Sequence, residues 1–410
     1  MTTTVLVVFL VVYLGMILGD LPFLQIDRTG IALLGAIALV ASGAVSAEEA
    51  AQAVHLPTIL LLFSFMVLSA QMRLGGFYTR VTERIAALPV SPPLLLAALI
   101  AAVAALSAVF SNDIICLAMA PVLAEACFAR RLDPVPFLLA LACAANVGSA
   151  ATLIGNPQNM LIGETLRLSF AGYALEAAVP VLAGLAATWA VIVLSVRGRW
   201  VLATDIQPLP EHREDWHARF DAWQTTKGLA MAATLLGAFL FTDMPREVAA
   251  LTAAGFLLMS RRLHTNKMLG LVDWELLVLF IGLFVVNHAF QQTGLAVRAM
   301  QALAETGLPL AAPAPLFAAT FVASNLVSNV PATMLLLPAA TEPWSGPLLA
   351  LVSTLAGNLL IVGSIANIIV VDAAARHGVR IDWRMHARIG VPVTLATLAI
   401  AAAWFMVRIP

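Results

Sequence analysis

Charge is what this chain lacks. Of its 410 residues only 11% are charged, 61% are hydrophobic, and the mean hydropathy is +0.95. A soluble domain carries about 25% charged residues, so too few polar groups exist to clothe a water-facing surface, and lipid must cover the rest. Cysteine is scarce too. Cys116, Cys127 and Cys143 lie in apolar runs without metal-ligand spacing and read as small core residues. No Lys or Arg precedes the apolar run at 3–19 and no small-x-small cleavage site follows it, so that run reads as a retained first span, not a leader. A nucleotide-binding loop is missing, as are His-x-x-x-His, His-Glu-x-x-His and Gly-x-Ser-x-Gly elements. These absences argue against an ATPase, an intramembrane enzyme and any bound cofactor. The lack of a soluble output domain argues against a sensor. A separate ATPase subunit and a channel are left open, and no nucleic-acid partner is expected.

What the chain does have is a duplication. Ser107-x-x-x-Ser111-Asn112 recurs 217 residues later as Ser324-x-x-x-Ser328-Asn329, and at the same offset Phe63 matches Phe280, Pro121 matches Pro338 and Glu125 matches Glu342. Secondary transporters are commonly built from such internal repeats.

Apolar runs of about membrane-crossing length fall near 3–19, 29–45, 57–73, 134–153, 171–196, 227–242, 246–260, 271–290, 346–361 and 389–407. Two further apolar segments, 92–128 and 311–341, are broken in the middle by the Ser-Asn element, and each reads as a re-entrant hairpin or as two straight spans. With both taken as re-entrant and the N-terminus outside, eighteen Lys and Arg fall in cytoplasmic loops. Only Arg167, Arg246, Arg298 and Arg408 stay outside. Five crossings per half is an odd number, so the second half is inverted. The expected organisation is an all-α polytopic membrane protein: repeat 1 over 1–196 (hairpin 92–128, broken helix 134–168), a cytoplasmic linker over 197–226, and repeat 2 over 227–410 (hairpin 311–341, broken helix 346–376). His212 and His217 read as solvated linker residues and not as a metal site. Residues 78–88 and 296–306 read as amphipathic helices on opposite membrane faces.

Unwound backbone within a membrane is tolerated only where it lines a cavity or is buried in protein. Ser107 and Ser111, four apart, would share a helical face beside Asn112, and hydroxyl, amide and carbonyl oxygens suit a hard cation such as sodium. Ser324, Ser328 and Asn329 repeat the set. A second interruption, Gly155-Asn156-Pro157-Gln158-Asn159, is matched 208 residues later by Gly363-Ser364-Ile365-Ala366-Asn367. Two hairpin tips and two broken helices meeting at the midplane would form a substrate and coupling-ion site. Asp113, next to Asn112, is an acid at costly depth. It reads as a proton carrier, a cation ligand or the N-cap of the second hairpin helix, and Val330 replaces it in the second half. Glu125 and Glu342 read as interfacial; Glu176, Asp372 and His288 read as locally satisfied.

Phe110-Ser-Asn-Asp113, Asn146-Val-Gly-Ser-Ala-Ala-Thr-Leu-Ile-Gly-Asn-Pro-Gln-Asn159 and Ser324-Asn-Leu-Val-Ser-Asn-Val-Pro331 resemble the ion transporter superfamily. That group holds citrate-transporter-like proteins, arsenite pumps, sodium/proton antiporters of the same fold and divalent-anion/sodium symporters. The Ser-Asn-Asp and Gly-Asn-Pro-Gln-Asn forms look most like its arsenite-pump-related bacterial anion-transporter branch. The resemblance implies inverted repeats, two re-entrant hairpins, a homodimer and an elevator motion. It implies one sodium site at Ser107, Ser111, Asn112 and Gly155, and another at Ser324, Asn329 and the Gly363 backbone. Solute contacts would come from Asn112, Asp113, Asn156, Pro157, Asn159, Ser328, Asn329, Ser364 and Asn367. Dicarboxylate symporters carry Ser-Asn-Thr in both hairpins where this chain has Asp113 and Val330. A charged Asp113 would repel a dianion by several kcal/mol in a dry site unless it were protonated or paired with a cation. The reading is a secondary active transporter of a small anion in a bacterial cytoplasmic membrane, coupled to sodium or protons. The alternative is an arsenite- or antimonite-type exporter, or a sodium/proton antiporter.

Overall fold

The computed structural model describes residues 1–19, 26–202 and 220–409, in which regular structure is helical apart from one isolated bridge between Leu132 and Val201. The first half runs α1 (Thr2–Leu18), α2 (Arg28–Ala41), the short α3 (Ala47–Ala53), α4 (Leu56–Leu74), α5 (Phe77–Ala86), α6 (Pro92–Ser107), α7 (Asn112–Ala129), α8 (Pro134–Ser149), α9 (Pro157–Thr165) and α10 (Phe170–Val196). The second runs α11 (Ala222–Phe241), α12 (Arg246–Leu258), the short α13 (Thr265–Leu269), α14 (Trp274–Gln292), α15 (Leu295–Glu305), α16 (Pro313–Val327), α17 (Asn329–Leu336), α18 (Ser345–Ala356), α19 (Ile365–Arg376) and α20 (Trp383–Arg408). Short 3-10 turns at Leu337–Ala339 and Ile361–Gly363 follow α17 and precede α19.

Several of the few acidic residues are spent on helix starts. Asp27, Asp133, Asp221, Asp273 and Asp382 each accept a backbone N–H in the first turn of the helix that follows, where otherwise unpaired donors and the helix dipole favour a carboxylate. Proline opens α4, α6, α8, α9 and α16, at positions where its missing N–H has no intrahelical partner to lose.

Five helices, α4, α7, α10, α14 and α20, are long and apolar enough to cross a membrane, and further apolar helices are shorter. Leu175, Leu182 and Leu194 of α10 stand exposed, as do Leu10, Leu14 and Leu18 of α1, as expected of a lipid-facing surface. By contrast α8 and α18 are buried almost all round and form the centre. Around them α6 packs on α8, α16 on α18, α7 on both α8 and α19, and α10 along α20. A second group pairs α2 with α14 and α4 with α12. Close approach needs glycine: a Cβ on Gly282 would sit 2.7 Å from Ala32, and one on Gly148 would overlap Ala104.

The linker expected over 197–226 ends earlier, because α11 begins at Ala222. Asp221 caps it, and the buried Gln224 accepts a 2.7 Å bond from Gln71. His212 and His217 lie outside the described residues. The amphipathic segments at 78–88 and 296–306 are α5 and α15, and Cys116, Cys127 and Cys143 are buried free thiols.

Candidate functional site

Each broken helix restarts on a polar residue. The first gap spans 150–156, so Pro157, Gln158 and Asn159 belong to α9 and are not part of the interruption. Asn156 is the N-cap and accepts the Asn159 N–H at 2.9 Å. Pro157, at the first helical position, shapes the turn and offers no polar group. In the second gap Ser364 stands in the cap position but does not cap: its hydroxyl donates to Asn146 Oδ1 at 2.9 Å. Asn159 and Asn367 hold the gaps the same way, each donating seven residues back, to Thr152 O and Leu360 O, both at 3.0 Å.

The two restarts meet on α8 and α18, and each reaches the other half's helix. Asn156 donates to Thr354 Oγ1 on α18 at 3.2 Å, while Ser364 donates to Asn146 on α8. Asn146 and Thr354 are themselves related by the 208-residue offset. Asn146 is the hub. Its oxygen also accepts from Asn112 Nδ2 at 3.1 Å, and its amide donates to Asn358 at 2.8 Å and Asn367 at 3.2 Å. Gln158 and Asn159 share Thr354, and Tyr173 joins Asn159 to Ala150 O. All these side chains are buried. Asn358 Nδ2 is left a buried donor without an acceptor among the described residues.

At the first Ser-Asn element Ser107 ends α6 and Ser111 lies beyond it, so the two serines do not share a helical face; the chain turns over 108–111. Ser107, Asn112 and Gly155 do converge. Asn112 N–H donates to Gly155 O at 3.3 Å, and a Cβ on Gly155 would overlap Ser149 O and lie 2.7 Å from Ser107 O. Ser107 Oγ and Asn112 Oδ1 are buried and have no hydrogen-bond donor among the described residues. In the second tip α16 runs through Ser324 to Val327. Only Ser328, at φ 73°, separates it from α17, a region costly for a side-chain-bearing residue. A Cβ on Gly357 would sit 3.1 Å from Asn329 Nδ2, and one on Gly363 would sit 3.1 Å from Gly357 O and 3.5 Å from Asn325 Oδ1. Ser324 Oγ, Asn325 Oδ1 and Asn329 Oδ1 are buried without donors among the described residues.

Asp113 is the second residue of α7, and Ser111 occupies the cap position, so Asp113 is not the cap. It makes no hydrogen bond or ion pair among the described residues. Glu176 is satisfied by Trp404 and Arg408, and His288 meets Gln292. Asp372, expected to be locally satisfied, is exposed and has no partner among the described residues. Glu125 lies 3.5 Å from His377, and this contact raises the His377 pKa above its ordinary value. No group of three or more His, Cys, Asp or Glu among the described residues could hold a metal ion.

Sequence reasoning missed Asn146, Ser149, Gln158, Thr354, Asn358, Tyr173 and Asn325 as site residues. Asn146 and Asn325 sat inside the motifs, and Thr354 could have been found by applying the 208-residue offset to Asn146. Nothing marked Tyr173.

The family model described as Citrate transporter (CitMHS) matches residues 5–356. The silicon efflux transporter LSI3 of Oryza sativa subsp. japonica is 28% identical, over 96% of this chain and 95% of that protein. The putative transporter arsB of Dictyostelium discoideum is 22% identical, over 92% and 87%. The crystal structure of the Alcanivorax borkumensis YdaH transporter aligns over 99% of this chain and 96% of its own, with TM-score 0.53 and 12% identity, a likeness of fold.

Proposed function

The chain belongs to the citrate transporter family, and from that premise we propose that it carries a small oxygen-rich anion through the Asn146–Thr354 crossing, coupled to sodium or protons at the hairpin tips. It is a multi-pass secondary transporter; the solute, the ion and the site are our reading. One observation carries it. Each hairpin tip buries acceptor oxygens with no donor among the described residues, Ser107 Oγ and Asn112 Oδ1 in one, Ser324 Oγ and Asn329 Oδ1 in the other. A buried acceptor left unpaired costs about 1–3 kcal/mol, and a hard cation bound by oxygen removes that cost. Ser111, Gly155 and Gly363 complete the two ion sites. The N-termini of α9 and α19 begin at the cluster and favour negative charge, and Asn358 Nδ2 is a donor without an acceptor among the described residues. We assign solute contacts to Asn112, Asp113, Asn156, Asn159, Ser328, Asn329, Ser364 and Asn367.

Two inverted repeats account for the packing, since α2 on α14 and α4 on α12 exchange under the repeat, as do α6 on α8 and α16 on α18. A re-entrant second hairpin is supported by length. The eight residues of α17 reach about 12 Å at about 1.5 Å each, against a hydrocarbon core of about 30 Å. The N-terminus outside, a cytoplasmic linker and a homodimer in a bacterial cytoplasmic membrane complete this reading.

A second reading is export of an undissociated metalloid hydroxide of the arsenite type, for which the relatives named as silicon efflux transporter and arsB speak. Its specific support is that no Lys or Arg side chain among the described residues is seen to hydrogen-bond into the cluster, while Asp113 directly follows Asn112. Titrating the purified full-length protein with citrate, phosphate, arsenite and silicic acid, with and without sodium, and following thermal unfolding separates the two. A solute that binds raises the midpoint. We expect that rise to vanish in Asn146→Ala and Asn156→Ala; an equal rise in both variants would overturn the site.

A further inference from the structure

Outside the amide cluster, a half-buried ion pair among the described residues joins the two groups of helices. Arg246, the first residue of α12, places Nε 2.8 Å from Glu164 Oε1 near the end of α9, and its Nη2 donates to Gly163 O at 2.9 Å. Side-chain exposure is only 14% and 9%. The Nε contact is off the hydrogen-bond line, and Arg246 Nη1 has no hydrogen-bond partner among the described residues. The pair is thus held by charge and by one carbonyl, not by a saturated fork.

The 208-residue offset that relates α9 to α19 puts Asp372 in the place of Glu164. The partner of α12 under the repeat is α2, and α2 also opens on arginine, Arg28. The same two charges therefore recur, one carboxylate near the end of a broken helix and one guanidinium at the start of a packed helix. They are not in the same state. Glu164 is paired and half-buried; Asp372 is exposed and without a partner among the described residues. α9 packs against α4, and no comparable contact joins α19 to the corresponding α14. Leu153 and Ile154 of the first gap are buried, while Leu360 and Val362 of the second are 43% and 53% exposed. The first gap is covered by protein where the second is not.

We propose that Glu164–Arg246 is one of two alternating latches, and that Asp372 pairs with Arg28 when the body carrying α6–α10 and α16–α20 shifts against the other helices. Arg28 then exchanges its present partner for Asp372. This rests on the alternating-access reading above. Each latch closes one membrane face, so both cannot be shut at once, and the solute site opens to the face whose latch is broken.

The test uses the full-length protein in proteoliposomes, with the native thiols retained because they are buried. Two cysteine pairs are made, Glu164→Cys with Arg246→Cys and Arg28→Cys with Asp372→Cys. We expect oxidation to cross-link each pair, to stop solute flux, and to be reversed by reductant. Adding Asp372→Asn to the first pair should raise its cross-linking rate about fivefold, and adding Glu164→Gln to the second should do the same, a typical coupling between two states. A parent protein that transports while the second pair never cross-links overturns the latch and leaves the transporter reading intact. Shifts opposite to those expected also overturn it. A parent without ion-coupled flux of any solute sinks the transporter reading itself.

Discussion

Asn146 makes four side-chain hydrogen bonds, and all four of its oxygen and amide positions are used. Removing it strands Asn112, Asn358, Asn367 and Ser364 in a buried site, at about 1–3 kcal/mol for each group that finds no substitute. Asn146→Ala should therefore cut solute flux by at least an order of magnitude and lower the thermal midpoint. Flux within twofold of the parent at normal expression would refute the hub. Asp113 differs in kind, because it neither caps α7 nor pairs with anything among the described residues, which in the proposed mechanism leaves its carboxyl available to the coupling ion. Asp113→Asn is expected to abolish drive by a pH gradient while sodium-driven flux and expression persist. Proton-driven uptake unchanged in that variant would remove the residue from coupling. Asn146 was legible as a motif member but not as a hub, since its bonds run to residues 212, 218 and 221 positions away. Thr354 was legible only through the 208-residue offset from Asn146, since a lone threonine in an apolar helix usually bonds its own backbone.

At the scale of elements, the breaks depend on glycine where two backbones nearly touch. Gly155→Ala must push apart Ser149 O and Ser107 O, an overpacking that typically costs about 1–3 kcal/mol. It should lower the unfolding midpoint and abolish sodium-dependent solute binding. Gly237→Ala, with open space around it, should change neither. A second element contact titrates: His377, at the end of α19, meets Glu125 of α7. Its folded pKa is raised, so the contact stabilises fully below the ordinary histidine value of about 6.5 and is lost as pH rises through the higher folded value. The unfolding midpoint should fall across that window in the parent and not in His377→Gln; identical pH profiles would dismiss the pair. Helix positions were readable because apolar runs end at Asp, Pro and Gly. The tip geometry was not. Four-residue spacing suggests one helical face only where a helix continues, and α6 stops at Ser107, whereas α16 passes Ser324 and stops one residue before Ser328.

For the whole molecule, the duplicated Ser-Asn elements suggest two like halves, and the proposed repeat would relate the packing of α2 on α14 to that of α4 on α12. Inversion itself makes a distinct prediction. A thiol placed by Arg167→Cys should react with an impermeant reagent from outside, and one placed by Arg261→Cys only from inside; labelling from the same side would contradict the proposed topology. How solute and ion are linked was beyond the sequence, because a neutral amide cluster can receive an oxyanion accompanied by a cation or an uncharged hydroxide. Accumulation in proteoliposomes addresses the central proposal, that one buried crossing binds solute and coupling ion together. With an imposed sodium or proton gradient, the solute should concentrate well beyond its outside level and fall back to it when an ionophore collapses the gradient. A solute that only equilibrates, at the same rate with and without either gradient, would contradict the account.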